Sequence, residues 1–384
     1  MTSFFAKRWV DLPRGAEELD PSVLAPGFRA GATHCGLKDG GETDVAVLVC
    51  DAAEVASSVL LTRNAAAAAP IRVCRDNLDP AGVRAIAVNS GNANAATGEQ
   101  GLKDAHEMQS ATANALGLDD REVVVAETGV IGVPLQIDLV TEGVRKAAGS
   151  LARDRATGFT HAIMTTDRSP KNVSVKAGGV TISAQAKGAG MIEPGFATML
   201  CFVQTDAQIS DPDAALRKAV DGSFERITVD GQMSTNDTVV LQATGETETP
   251  MPTGLLDCVL LALALEIVAD GEGAERIGRV TVTEARDADE AERVARAIAN
   301  SPLVKTALTG RDANWGRIAQ AAGMALAGED MPEPGPHSIS YSELGAETDE
   351  AEIGIALGRG EASAHVYFSD LTHEYIHINA EYTT

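Results

Sequence analysis

The sequence predicts a protein of several layers, α/β or α+β. Three observations support this: short β-branched runs alternate with helical patterns, one helix-length segment is apolar nearly all round, and no internal repeat is present. Val45 to Cys50, Ala85 to Val88, Val123 to Ala126, Val180 to Ala184 and Val280 to Thr283 are short, rich in residues that suit a pleated surface, and read as strands. Ala105 to Leu116 sets Met108, Thr112, Ala115 and Leu116 on one face and stops at Gly117, a helix with its end signal. Asp287 with Glu290 has the form of a capping box; Ala291, Val294, Ala295 and Ile298 follow at helical spacing, and Asn300-Ser301-Pro302 closes the helix. Leu255 to Ala269 is the segment apolar all round, hence a buried core helix. Ile376 to Ile378 reads as strand, and the stretches Glu246 to Gly254 and Ala327 to Pro336 as loops or subdomain joints.

A chain of 384 residues is long enough for two domains, or for one large layered core with an appended subdomain. A formal charge of −24, from 31 basic against 55 acidic residues, argues against a nucleic-acid backbone or an anionic membrane as partner, since both require a basic footprint. The five cysteines are odd in number and scattered, with no C-x-x-C, so free buried thiols in a reducing compartment are expected. His34 beside Cys35 has no partner pair at zinc spacing, and His373 with His377 stands alone; no metal is expected. No signal peptide is evident before Asp20, and no run reaches the roughly 18 apolar residues of a membrane span. A cytoplasmic enzyme is the expectation.

The densest chemistry lies between Ala186 and Asp206. Glycines and a proline bend the chain, and an apolar strand candidate, Met199 to Val203, begins directly after Thr198. A hydroxyl at the mouth of a buried strand can attack the preceding carbonyl and cut the chain. The amine so released, with an ordinary pKa of roughly 8, can then act as general base for its own side chain. By itself such a loop is commonly a plain turn. Lys187-Gly188 does not meet the P-loop template either, having no following Ser or Thr.

From about Pro26 to Thr384 the chain resembles the ornithine acetyltransferase family, also called bifunctional glutamate N-acetyltransferases. The resemblance is carried by Asn89-Ser90-Gly91-Asn92-Ala93-Asn94-Ala95, Thr128-Gly129-Val130-Ile131-Gly132, Met164-Thr165-Thr166-Asp167, Lys187-Gly188-Ala189-Gly190-Met191, Ala197-Thr198-Met199-Leu200, Ser234-Thr235-Asn236-Asp237, Asp270-Gly271-Glu272-Gly273-Ala274, Asn314-Trp315-Gly316-Arg317-Ile318 and Ile378-Asn379-Ala380-Glu381-Tyr382-Thr383-Thr384. It implies an α/β four-layer αββα sandwich with a C-terminal α+β subdomain from about residue 276. It also implies self-cleavage between Ala197 and Thr198 into chains 1–197 and 198–384, and an assembly of two copies of each. Thr198 would be nucleophile as well as cleavage residue, with Thr128 and Gly129 as oxyanion hole; a donor of that kind is worth roughly 3–4 kcal/mol. Thr165, Lys187, Glu272, Asn379 and Thr384 would line the substrate pocket. Lys187 suits an α-carboxylate and Glu272 a δ-ammonium. The implied reaction moves acetyl from N2-acetylornithine to glutamate, without a cofactor, with acetyl-CoA as a second donor in some members.

The chain departs from the family pattern in its first twenty residues, at Glu193 beside Pro194, and at Gln232-Met233 before Ser234. Asn89 to Asn94 and Ser234 to Asp237 read as scaffolding of the site. Two other readings stand beside acetyl transfer: an N-terminal-nucleophile aminopeptidase or amidase using the same Thr198, and a silent small-molecule binding protein in which Thr198 is never released. The acidic excess generates a separate expectation of salt adaptation, because self-repulsion weakens as the Debye length falls from roughly 30 Å at 0.01 M to roughly 3 Å at 1 M salt. Thermal melts at low and molar potassium chloride check it: the melting temperature should rise with salt, and an unchanged value discards the idea.

Overall fold

The computed structural model of the chain describes residues 3–193, 199–335, 337–342 and 349–381. Two sheets form its centre. One has six strands in the order β1 (Glu17–Glu18), β7 (Lys171–Ala177), β8 (Val180–Lys187), β9 (Leu200–Thr205), β11 (Thr238–Ala243) and β4 (Ala56–Leu61). The other has four, β2 (Phe28–Thr33), β3 (Val45–Cys50), β5 (Ala85–Asn92) and β6 (Val123–Val130), the last two parallel.

Side-chain parity on β9 shows how the layers stack. Leu200 and Phe202 join the core shared with β3, β5 and α4 (Ala156–Ile163), whereas Cys201 and Val203 point the other way, into the core under α5 (Pro212–Asp221) and α6 (Leu255–Ala269). Between the sheets Phe159 of α4 meets Phe202 edge-on, their centroids 5.6 Å apart. The outer face of the four-stranded sheet is covered by α2 (Gly98–Leu116) and α3 (Ile137–Ala148), and α1 (Ala69–Asn77) packs on its β6 edge. The result is the αββα sandwich.

A five-stranded sheet, β10 (Ile227–Thr228), β15 (Ala362–Ser369), β12 (Ile277–Ala285), β14 (Glu350–Ala356) and β13 (Ile339–Ser342), has its own apolar core with α7 (Ala288–Ala299), α8 (Pro302–Thr309) and α9 (Trp315–Ala325). This sheet explains why α6 is apolar on every side. The helix packs on β7 and β8 with one face and on α5, β10 and β15 with the others. Among the described residues no helix is long and apolar enough to cross a membrane.

Most expected elements are present, with differences that have physical causes. α2 starts seven residues earlier than its apolar stripe, because its first turns are polar; Gly117 caps it in the left-handed conformation as read. Asp287 caps α7 through Glu290 N, but the Glu290 carboxylate reaches back to Arg286 N, so the box is only half reciprocal. Ile376 to Ile378 is not strand: it lies in α10 (His373–Glu381), with Ile376 exposed. The isoleucines mimic a β-run, but the helix is docked by its first turn. Gly273, at φ +65°, allows Tyr375 N to approach where a Cβ would lie 2.3 Å away. The cysteines are free, all buried except the half-buried Cys35.

The N-terminal segment is a strap. Phe5 and Val10 enter the α5–α6 core. Trp9 lies against Tyr367 at 5.2 Å, sits under the Arg279 guanidinium at 5.7 Å, and donates its indole N–H to Glu352. It therefore ties the sandwich to the third sheet. Trp9→Ala should lower unfolding free energy by about 1–3 kcal/mol, below the cost at a fully buried site. Denaturant titration checks this, and an unchanged midpoint would show that the strap is dispensable.

Candidate active site

The site lies where strands of both central sheets end. β6 carries Thr128 and Gly129 just before its last residue, Val130, β8 ends with Lys187, and β9 and β11 begin at the same level after Met199 and Asp237. Ala197, Thr198 and Thr384 lie outside the described residues; the chain neighbour of Thr198, Met199, is buried.

A Thr-Gly pair is ordinarily a turn signal. Thr128 and Gly129 instead lie near the end of a strand with a bulge: Thr128 faces both Ser90 and Asn92 across the β5–β6 pair, and is buried. Gly129 has φ +134°, and a Cβ on it would lie 2.3 Å from the Gly91 carbonyl carbon. Only glycine brings the two backbones so close, and the register of the β5–β6 pair shifts at this point.

Lys187 is a buried strand residue, not a loop charge. Its Nζ donates to Thr165 Oγ1 at 2.7 Å and to Thr128 Oγ1 at 3.4 Å, and lies 3.9 Å from Asp167 Oδ2. Burial lowers its pKa, opposed by the charge of Asp167. Because Thr128 accepts from Lys187, its own proton is free to be donated elsewhere. Burial alone would raise Asp167, but Lys187, Lys171 and the Gly188 N–H outweigh it and hold the carboxyl well below the usual carboxylate range. Lys171 bridges Asp167 at 2.7 Å to Asp270 at 2.5 Å, and Asp270 also binds the Arg168 guanidinium at 3.0 Å.

Glu272 stands on the turn after α6. It accepts from Thr166 Oγ1 and from Asn379 Nδ2, each at 2.8 Å, and its N–H donates to Ala189 O. Both side-chain donors are neutral, and among the described residues no cation pairs with it. Its charge is therefore fixed in place but not cancelled. Asn379 reaches it from α10, so this residue is a ligand of the site and not a turn former. A cavity of about 450 Å³ opens beside Thr165 and Asp167, bounded also by Lys38, Gly91, His161 and Met164.

Of the residues picked from sequence, the structure thus brings Thr128, Gly129, Thr165 and Lys187 into one cluster and Glu272 with Asn379 into a neighbouring one. The scaffold motifs do hold them. Asn236 Nδ2 donates to Ala93 O at 2.7 Å and Glu127 O at 2.8 Å, and Asp230 takes the N–H groups of Met191 and Ile192. Glu193 accepts from Asn300 Nδ2 and lies 3.6 Å from Arg296. Asp167, Thr166 and Lys171 were missed as site residues. The first two were inside a quoted motif, while Lys171 carries no local signal. From the Gly129 geometry, Gly129→Ala should reduce turnover by about 10²-fold or more, the range for a lost oxyanion donor, and should lower the melting temperature. Steady-state rates and a melt test this; wild-type turnover would show that the N–H needs no such bulge.

A model of the ArgJ family matches residues 29–384. The arginine biosynthesis bifunctional protein ArgJ of Geobacter sulfurreducens is 41% identical over 394 residues, spanning 93% of this chain and 99% of that protein. Its namesake from Symbiobacterium thermophilum is 41% identical over 403 residues, spanning 96% of this chain and 100% of its own. A solved chain of the ornithine acetyltransferase from Mycobacterium tuberculosis, complexed with ornithine, is 34% identical with a TM-score of 0.45, covering 47% of this chain and 98% of its own. By the family match and by these relatives, the chain belongs to the ArgJ family.

Proposed function

We propose that this protein moves the acetyl group of N2-acetylornithine to glutamate through an acetyl ester on Thr198, after cutting its own chain between Ala197 and Thr198. Acetyl transfer in arginine biosynthesis rests on membership of the ArgJ family. The observation that carries the finer reading is the buried Lys187 ammonium, shared between Thr165 and Thr128 at the point where the strand following Thr198 begins.

In the cutting step the Thr198 hydroxyl adds to the Ala197 carbonyl, the acyl group shifts from nitrogen to oxygen and so frees the Thr198 amine, and water then hydrolyses the ester, releasing the Ala197 carboxylate and restoring the hydroxyl. In transfer, Thr198 Oγ attacks the acetyl carbonyl while its own amine takes the hydroxyl proton. Charge then develops on the carbonyl oxygen, where the Thr128 hydroxyl and the Gly129 N–H are the donors. Collapse expels the α-amine of ornithine, which takes the proton back. The amine of glutamate repeats the sequence on the ester. Lys187 suits the α-carboxylate, Thr165 orients Lys187, and Glu272 with Asn379 suits the δ-ammonium; Thr384 completes the pocket in this reading. Acetyl-CoA would serve as alternative donor with a thiol leaving group, and no resident cofactor is needed.

Cutting at this bond leaves β8 on one fragment and β9 on the other, paired from Ile182↔Thr205 to Lys187↔Leu200. Fragments interleaved in one sheet stay together, and an assembly of two of each accompanies the proposal. The hydrolase reading would let water take the acetyl group. Incubation with N-acetylornithine, with and without glutamate, separates the two, since acetate released without N-acetylglutamate would reject transfer. Thr198→Ala should give a single uncut chain with no transferase activity. Two normal fragments from that variant on a denaturing gel would remove Thr198 from both roles.

A further inference from the structure

Asp237 opens β11 with a wholly buried side chain. Its Oδ1 accepts the Met199 N–H at 3.0 Å, and among the described residues its Oδ2 makes no hydrogen bond of ordinary geometry. On the other side of the same residue, Met199 O accepts the Thr238 N–H at 3.2 Å. The regular pairing of β9 begins only at Leu200, opposite Lys187 on one side and Thr238 on the other. The Asp237 side chain therefore extends the ladder by one residue, toward the residue that precedes Met199. That residue is Thr198.

A carboxylate is a costly acceptor for one neutral N–H in a dry site, because burial disfavours its charge. Burial does push Asp237 well above the ordinary carboxylate range, against the opposing effect of Lys187 and with Glu225 adding to it. Charged or neutral, the carboxyl keeps its Oδ1 as an acceptor for the Met199 N–H.

We propose that Asp237 is a positioning residue whose carboxyl group clamps the Met199 N–H and so fixes Thr198 once the chain on its other side has been cut. The inference rests on the reading of Thr198 as nucleophile. Before scission Thr198 is tethered by peptide bonds at both ends. Afterwards its only covalent tether is Met199, and the Asp237 contact is the last fixed point ahead of the ladder. Substrate contacts come from other segments, those of Lys187, Thr165, Glu272 and Asn379. Loosening the clamp should therefore lower kcat and leave KM nearly alone.

The test compares Asp237→Asn, which keeps an oxygen acceptor but cannot ionise, with Asp237→Ala, which removes it. Kinetics are measured on the processed fraction, with N-acetylornithine and glutamate. Asp237→Asn should be cut and should keep kcat, KM and the wild-type pH profile. Asp237→Ala should lose kcat by up to about a hundredfold, as for a reacting group displaced by an ångström, with KM for N-acetylornithine unchanged. If Asp237→Ala does not fold, Asp237→Glu takes its place: it moves the acid by one methylene and should show the same kcat loss. Full kcat in Asp237→Ala or Asp237→Glu overturns the clamp. So does an Asp237→Asn variant as slow as Asp237→Ala, which would mean that the charge or proton of Asp237 is what matters. Peptide mapping of quenched wild-type enzyme keeps the two readings apart. Turnover without acetyl on Thr198 refutes the nucleophile, whereas acetyl-Thr198 with an insensitive Asp237 refutes only the clamp.

Discussion

The site depends on one buried carboxylate. Asp167 is wholly enclosed, between the ammonium groups of Lys171 at 2.7 Å and Lys187 at 3.9 Å, with the Gly188 N–H at 2.7 Å as a further donor. Each charge is buried at a cost that only the others offset, so none can be removed singly without leaving an unpaired ion in a dry place. That mutual dependence joins the segment following α4, the end of β8 and, through Asp270, the turn that carries Glu272. The cluster holding the threonine hydroxyls and the cluster holding Glu272 therefore keep one relative position.

The sheet order makes self-cutting compatible with a stable fold. β9 and β11 lie between β8 and β4, so the second half of the chain supplies the middle of a sheet whose remaining strands come from the first half. Backbone hydrogen bonds and the two apolar cores on either side of β9 cross the division. A break at 197/198 removes one covalent bond and none of this burial. In the proposed reaction the new terminus would act chemically while its strand remains held through the Met199 contacts.

The legible part of the sequence was the part with local causes. β-Branched runs such as Val45 to Cys50 and the all-round apolar α6 were evident because burial on both sides leaves no polar stripe. What failed was set by tertiary contact. Thr128-Gly129 looked like a turn because glycine signals turns, but here the glycine admits the Gly91 backbone. Ile376 to Ile378 looked like strand because isoleucine prefers strands, but α10 is fixed by Thr372 and Gly273, which the local pattern does not show. Lys171 is invisible from sequence, since its partners are a neighbour at Asp167 and a distant Asp270. Motifs quoted for the family did mark Asp167, Asn236 and Asp237, though not what each would touch.

The charge balance of the cavity bears on which amino acids it accepts. At long range the acidic surface, 55 acidic against 31 basic residues, repels anions. Among the described residues, the ion pairs of Arg168, Lys171 and Lys187 are with Asp167 and Asp270, three cations to two acids. The α-carboxylate of a bound amino acid would complete that count, and burial makes the attraction stronger than it would be in water. Glu272 supplies the opposite deficit, a fixed negative charge with neutral donors only. In the proposed reaction, ornithine with its two ends satisfies both. Glutamate satisfies only the first, and brings a second carboxylate toward Glu272. Its side chain must then turn to the Asn379 or threonine donors, or away from Glu272 toward the cavity bounded by Lys38 and His161. The donor and the acceptor thus share the α-carboxylate seat and the nucleophile, while their side chains are held by different forces.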